Sequence, residues 1–246
     1  MIGPIRPLFV LFGSSIVQLS YHLHGWGATL TGLYARKADI SLRGYAGWNS
    51  RMALQVLDKV FPKDVEIKPS LVILYFGGND SADPEFPSSP HVPLDEYVEN
   101  MRKIVLHIKS LSEKTRVIML SAPAVNEEQI IQFYGDNKGR TNERCRLYSE
   151  AGIKLGQELG VKVIDFWSAL QERPDWKETV FWDGMHLTKE GSDIVVKKVS
   201  KVIREAEWEP SLHWTKMADE FSDIIIPIVG TDLMINQLDD WQKEYE

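Results

Sequence analysis

The chain has 246 residues, enough to bury a sizeable core, and its length suits one large α/β domain better than two small ones. With 43% hydrophobic and 26% charged residues it reads as globular, which excludes fibrous and disordered classes. The net charge of −7 repels phosphate backbones, and the basic residues are interleaved with acidic ones, which weighs against nucleic acid as a partner.

The first apolar run, residues 8–12, predicts a strand, and it passes into "FGSSIVQ" at residues 12–18. That run is too short for a membrane helix, which needs roughly 20 apolar residues, and no later stretch approaches that length. No secretory leader is visible, since only Arg6 precedes the run. The expectation is a soluble, intracellular, cytoplasmic protein with no stable membrane insertion. A single cysteine, Cys145, rules out an intramolecular disulfide framework and fits a reducing compartment.

Helical spacing follows over 18–34, then a strand at 38–42, a helix over 50–61 and a strand at 71–76. His22 and His24 are two apart in the first of these helices and would point apart, so they make a poor metal pair. The proline-rich stretch 83–93 cannot be regular structure and reads as a loop. A helix is predicted over 94–112, where Tyr97, Met101, Ile104, Val105 and Ile108 recur at three and four residues. Strands at 116–121 and 161–165 and helices over 141–159 and 188–206 complete the pattern. Alternating strands and helices with near-continuous apolar strands predict a three-layer α/β/α domain around a five-stranded parallel sheet.

That domain is assigned to residues 1–206. Residues 207–246 form an extension carrying Trp208, Trp214, Trp241 and the run "IIIPIVG" at 224–230. So much apolar surface is unusual in a free tail, so the extension is expected to pack on the body or to build a homodimer.

Ligands of such sheets bind beyond the carboxyl ends of the strands. Gly13-Ser14-Ser15 follows the first strand, "RGYAGWNS" the second, "GGND" the third and "SAPAVNEE" the fourth. A nucleophilic serine needs a base, and the base needs a group that fixes its tautomer. "FWDGMHLT" at 181–188 supplies a candidate pair, Asp183 and His186, three apart in a turn before the last helix. The N–H of the nucleophile, the N–H of Gly47 and the side-chain amide of Asn79 are candidate oxyanion donors. Each feature also has a plain reading: the two serines as helix N-caps, Gly47 as a turn glycine, Asn79 as an Asx turn. Trp48 and Trp182 lie beside these residues in sequence and are candidate walls of a substrate pocket.

Taken together, "FGSSIVQ", Gly47 in "GYAGWNS", "GGND" and "DGMH" resemble, in order, the four blocks of the GDSL (SGNH) hydrolases. The similarity is greatest to the branch of isoamyl acetate-hydrolysing esterases and their plant homologues. The resemblance implies a flavodoxin-like sheet, no metal and no cofactor. It implies Ser15 as nucleophile, His186 as base, Asp183 as the acid that orients it, and Ser15, Gly47 and Asn79 as the oxyanion hole. The family's usual aspartate before the nucleophile is Ser14 here, and the usual leucine after it is Ile16. Ser14 is accordingly read as the helix N-cap. The expected activity is hydrolysis of small or acetylated esters, with a small-molecule ester as the partner. A carbohydrate acetylesterase or acyltransferase with the same triad, and an inactive binding module on the same fold, are the alternatives.

Overall fold

The computed structural model describes residue 3 and residues 5–22, 24–223 and 241–245. Strands β1 (Leu8–Gly13), β2 (Asp39–Gly44), β3 (Pro69–Tyr75), β4 (Arg116–Leu120) and β5 (Lys162–Ile164) form one parallel sheet in the order β2-β1-β3-β4-β5. In register, Leu11 lies between Leu42 and Ile73.

Alternate residues of each strand face opposite sides, and both sides are apolar. On one side Phe9, Leu11, Leu71, Ile73, Ile118 and Leu120 pack with Trp26 and Leu30 of α2 (Trp26–Leu33) and with Val195 and Val199 of the last long helix. On the other, Val10, Phe12, Val72, Leu74, Val117 and Met119 pack against the helices that follow β2, β3 and β4. The sheet is therefore the middle layer of an α/β/α sandwich, as its apolar strands require.

Besides α2, the α-helices assigned among the described residues are α1 (Ser15–Gln18), α3 (Ser50–Gln55), α4 (Leu57–Val60), α5 (Leu94–Ser110), α6 (Glu127–Tyr134), α7 (Asn142–Glu158), α8 (Phe166–Ala169), α9 (Trp176–Thr179) and α10 (Lys189–Glu205). Short polar side chains start several of them. Asn49, Asn126, Thr141, Asp165 and Thr188 each accept a hydrogen bond from the backbone N–H three residues on.

Two predicted helices are broken. The stretch 18–34 is divided after a short 3₁₀ turn, because His24 adopts φ 62° and Gly25 caps the start of α2. The break lets the buried Trp26 fold back, where its indole N–H donates to the carbonyl of Ile16 at 3.1 Å. His22 and His24 thus flank a turn rather than share a helix. The stretch 50–61 divides at Val56, whose ψ of 6° leaves the helical basin. Helix α6 was not anticipated, since "NEE" read only as the residues after a strand.

The described part of the C-terminal extension lies against the α2 and α10 side. Leu212, Trp214 and Tyr245 are buried there. The Tyr34 hydroxyl donates to the carbonyl of Leu212 at 2.9 Å, Lys37 pairs with Asp219 at 2.6 Å, and the Tyr245 hydroxyl donates to Asp193 at 2.8 Å. The run at 224–230 lies outside the described residues. Among the described residues no helix is long and apolar enough to cross a membrane.

The neighbours of β1 are β2 on one side and β3 on the other, so the direction of the winding reverses across β1. The connections leaving β1 and β3 part there and open a crevice at the carboxyl edge of the sheet.

Candidate active site

The crevice is a cavity of about 230 Å³ whose lining includes Ser15, Gly47, Asn79, Arg140 and His186. Ser15 opens α1 directly beyond β1. That short helix sits tight on the sheet edge because β2 ends in Gly44: a Cβ there would lie 2.1 Å from the backbone nitrogen of Gln18.

His186 reaches the same point from the far end of the chain. Its loop is closed by a bridge between Phe181 and Leu187 and by Trp182 N–H donating to the carbonyl of His186 at 3.1 Å. Asp183 holds the interior of the loop. One of its oxygens, Oδ1, accepts the backbone N–H groups of Met185 at 2.9 Å and His186 at 2.7 Å. The other, Oδ2, receives His186 Nδ1 at 2.6 Å and the Tyr134 hydroxyl at 2.7 Å. His186 Nε2 then lies 2.9 Å from Ser15 Oγ.

The electrostatics follow from that packing. Burial alone would raise the Asp183 pKa. The hydrogen bond and charge of His186, its backbone N–H and the Tyr134 hydroxyl outweigh burial and hold the carboxyl below its ordinary value. The Tyr134 phenol is pushed up to about 12 by burial and by Asp183, so it stays a donor at neutral pH.

Three donors border the serine. The backbone N–H groups of Ser15 and Gly47 take no acceptor among the described residues. Asn79 Nδ2 donates one hydrogen to the carbonyl of Trp48 at 2.7 Å and has a second to offer. Next to it in sequence Asp80, fully buried, accepts Ser50 N–H at 2.9 Å and Gly77 N–H at 3.1 Å, which ties the start of α3 to the turn after β3.

Ser14 departs from its expected role. It occupies the N-cap position of α1, but its side chain makes no capping bond. Only its backbone carbonyl serves the helix, accepting the N–H groups of Val17 and Gln18 at 3.1 and 2.9 Å. The two tryptophans depart as well, since neither lines the cavity. Trp48 stacks on Tyr45 with ring centroids 4.2 Å apart. Trp182 is 46% exposed and stacks on the His186 ring at 5.5 Å, in edge contact with Phe133. The loop bridge that positions His186 turns Trp182 outward, and Tyr75, Pro123, Val125 and Met185 take its place as walls.

Sequence reasoning missed Tyr134 and Arg140. Both sit at the ends of the α6–α7 connection, far in sequence from every block that carries chemistry, so no motif marked them. Among the described residues no three His, Cys, Asp or Glu side chains converge to hold a metal ion.

A family model described as the GDSL-like lipase/acylhydrolase family matches residues 11–194. The chain is 58% identical over 225 residues to the GDSL esterase/lipase WDL1 of Oryza sativa subsp. japonica, covering 90% of this chain and 86% of that protein. It is 33% identical over 211 residues to the isoamyl acetate-hydrolyzing esterase 1 homolog of Homo sapiens, covering 80% and 84%. Its fold is similar to the crystal structure of a lipase/acylhydrolase from Enterococcus faecalis, with a TM-score of 0.64 at 19% identity over 82% of this chain and 97% of the other. This chain belongs to the GDSL-like lipase/acylhydrolase family.

Proposed function

We propose that the chain hydrolyses small or acetylated carboxylic esters through an acyl-enzyme on Ser15. Carboxylic ester hydrolysis is the chemistry of its family and its relatives. The observation that carries the residue assignment is the unbroken hydrogen-bonded line from Asp183 through His186 to Ser15, at 2.6 and 2.9 Å.

Ser15 Oγ attacks the ester carbonyl and His186 Nε2 takes its proton. Asp183 holds the other ring nitrogen and stabilises the imidazolium that forms. The oxyanion is met by the N–H of Ser15, the N–H of Gly47 and the Asn79 amide. His186 returns the proton to the alcohol as the carbon–oxygen bond breaks. Water, deprotonated by His186, then attacks the acyl-enzyme and releases the acid. A cavity of about 230 Å³ supports a short acyl group, since sites for larger ligands run roughly 300–1,000 Å³. The human relative is named for an acetate ester, which agrees with that size.

The test is a fluorophosphonate probe followed by intact mass and peptide mapping. One adduct on Ser15, lost in Ser15→Ala and His186→Ala, is the expected result. Asn79→Ala should lower kcat by about 10²–10³, while Ser14→Ala should cost much less. An adduct on another residue, or none on folded protein, would overturn the assignment.

A further inference from the structure

The cavity wall carries one charged side chain outside the proposed triad. Arg140 lies just before α7, and one guanidinium nitrogen, Nη2, donates to Asn79 Oδ1 at 2.6 Å. The other, Nη1, donates to the carbonyl of Gly78. A single planar fork therefore grips the backbone before Asn79 and the side chain of Asn79 at once. Arg140 makes no ion pair with a carboxylate among the described residues, and its buried Nε has no hydrogen-bond partner. Burial draws its pKa down from the ordinary arginine value, with Cys145, Tyr75 and Asp80 acting against that. Leaving such a group buried without a counter-ion is costly unless its bonds do something for the fold or the site.

The chemistry of the two neighbours fixes the Asn79 amide. A guanidinium has only donors, so the oxygen of Asn79 must face it. The carbonyl of Trp48 has only lone pairs, so the nitrogen must face that side. The amide has one orientation that satisfies both, and in it the remaining Nδ2 hydrogen is the one available to the cavity. The positive charge on the oxygen side also polarises the amide, which makes that hydrogen a stronger donor in a water-poor site.

The connection bearing Arg140 is itself anchored. Asp83 N–H donates to the carbonyl of Gly139 at 2.8 Å, and Arg144 donates to the carbonyls of Ser81 and Ala82 at 3.0 and 3.1 Å. The start of α7 thus holds the whole turn that presents Asn79.

We propose that Arg140 is a positioning residue of the oxyanion hole, acting through Asn79 and not on the substrate directly. This rests on the reading of Ser15 as nucleophile and Asn79 as oxyanion donor. Lysine would not replace it, because a point charge cannot make both forked bonds.

The experiment is a double-mutant cycle on p-nitrophenyl acetate with Arg140→Met, Asn79→Ala and the pair, with Arg140→Lys alongside and Ser15→Ala as control. Arg140→Met should lower kcat by about 10–10²-fold with KM little changed, since an interaction expressed mainly in the transition state is lost. Arg140→Lys should recover only part of that. In the Asn79→Ala background Arg140→Met should change kcat by less than about threefold, because the residue it positions is gone. Wild-type kcat in Arg140→Met, or losses that multiply across the cycle, would overturn the proposal. So would loss of the native circular dichroism in both Arg140 variants, which would assign the residue to the fold. Retained turnover in Ser15→Ala would sink the mechanism beneath it. Abolished turnover there, with a multiplicative cycle, would sink the Arg140 assignment alone.

Discussion

Tyr134 and His186 donate to the same oxygen of Asp183, at 2.7 and 2.6 Å, from two elements far apart in the sequence. The other oxygen is occupied by two backbone N–H groups. A carboxylate with this many donors has one orientation, and the imidazole bonded to it has one as well. The ring of His186 is therefore fixed from helix α6 as much as from its own loop.

Tyr134→Phe removes one of those donors and keeps the ring in place. It should reduce stability by about 1.5–3 kcal/mol, the usual range for a hydrogen bond to a charged group. It should also lower kcat by less than about tenfold with KM unchanged, because Asp183 keeps three donors. Urea titration and steady-state kinetics on the same preparation would check both. A loss as deep as that of His186→Ala would mean the phenol takes part in proton transfer.

The lowered pKa of Asp183 has a definite sign in stability. A carboxyl whose folded pKa lies below its unfolded value, about 3.9, stabilises the fold fully above that value. The contribution is lost as the pH falls through the lower folded value. The difference in urea midpoint between the wild type and Asp183→Asn should be widest near neutral pH and should shrink below about pH 4. The same substitution should lower kcat by several orders of magnitude, since it frees the imidazole to take the wrong tautomer.

Gly184 sits inside the loop between Asp183 and His186 at φ +88°. An added Cβ would lie 2.5 Å from the carbonyl oxygen of Asn126 and 2.7 Å from the nitrogen of Ile130. Gly184→Ala should lower the melting temperature and displace His186, with a steep fall in kcat, because strain of this kind costs of order 1–3 kcal/mol. A variant with wild-type melting and turnover would show that the loop shifts freely.

Cys145 is buried, and its Sγ lies 3.3 Å from the Ser81 hydroxyl. Burial raises the thiol pKa, and the Ser81 bond and nearby arginines offset this only in part. A thiol in that state is a poor nucleophile. Native protein should not react with 5,5′-dithiobis(2-nitrobenzoic acid), and denatured protein should release one equivalent of chromophore. Fast labelling of the native state with loss of activity would reveal an opening of the α7 start that exposes the turn bearing Asn79.

The strands and the long helices α5, α7 and α10 were legible because periodicity reports burial directly. Strands β1, β3 and β4 are apolar on both faces, and each of these helices has one apolar stripe. The breaks at His24 and Val56 were not legible. Both stretches keep helical spacing in sequence, and a tertiary bond, that of Trp26 to Ile16, accompanies the first break. The residues drawn together as Ser15, Asp183, His186, Gly47 and Asn79 were readable because each block follows a strand or precedes a helix. Tyr134 and Arg140 were not, since a tyrosine ending one helix and an arginine before another carry no local mark. Their significance lies in what they face. Trp182 misled for the converse reason: adjacency in sequence placed it beside Asp183, but the bridge of Phe181 to Leu187 sends its ring to the outside.

The bond between Ser15 and His186 joins positions 171 residues apart. A ribosome making this chain releases Ser15 early and His186 late, after all five strands. Ser15 meets no imidazole until the loop before α10 has emerged and closed over it. A nascent polypeptide, or one cut before His186, therefore carries Ser15 as an ordinary serine alcohol, and on the proposed mechanism reactivity toward esters arrives only with the loop that follows the last strand.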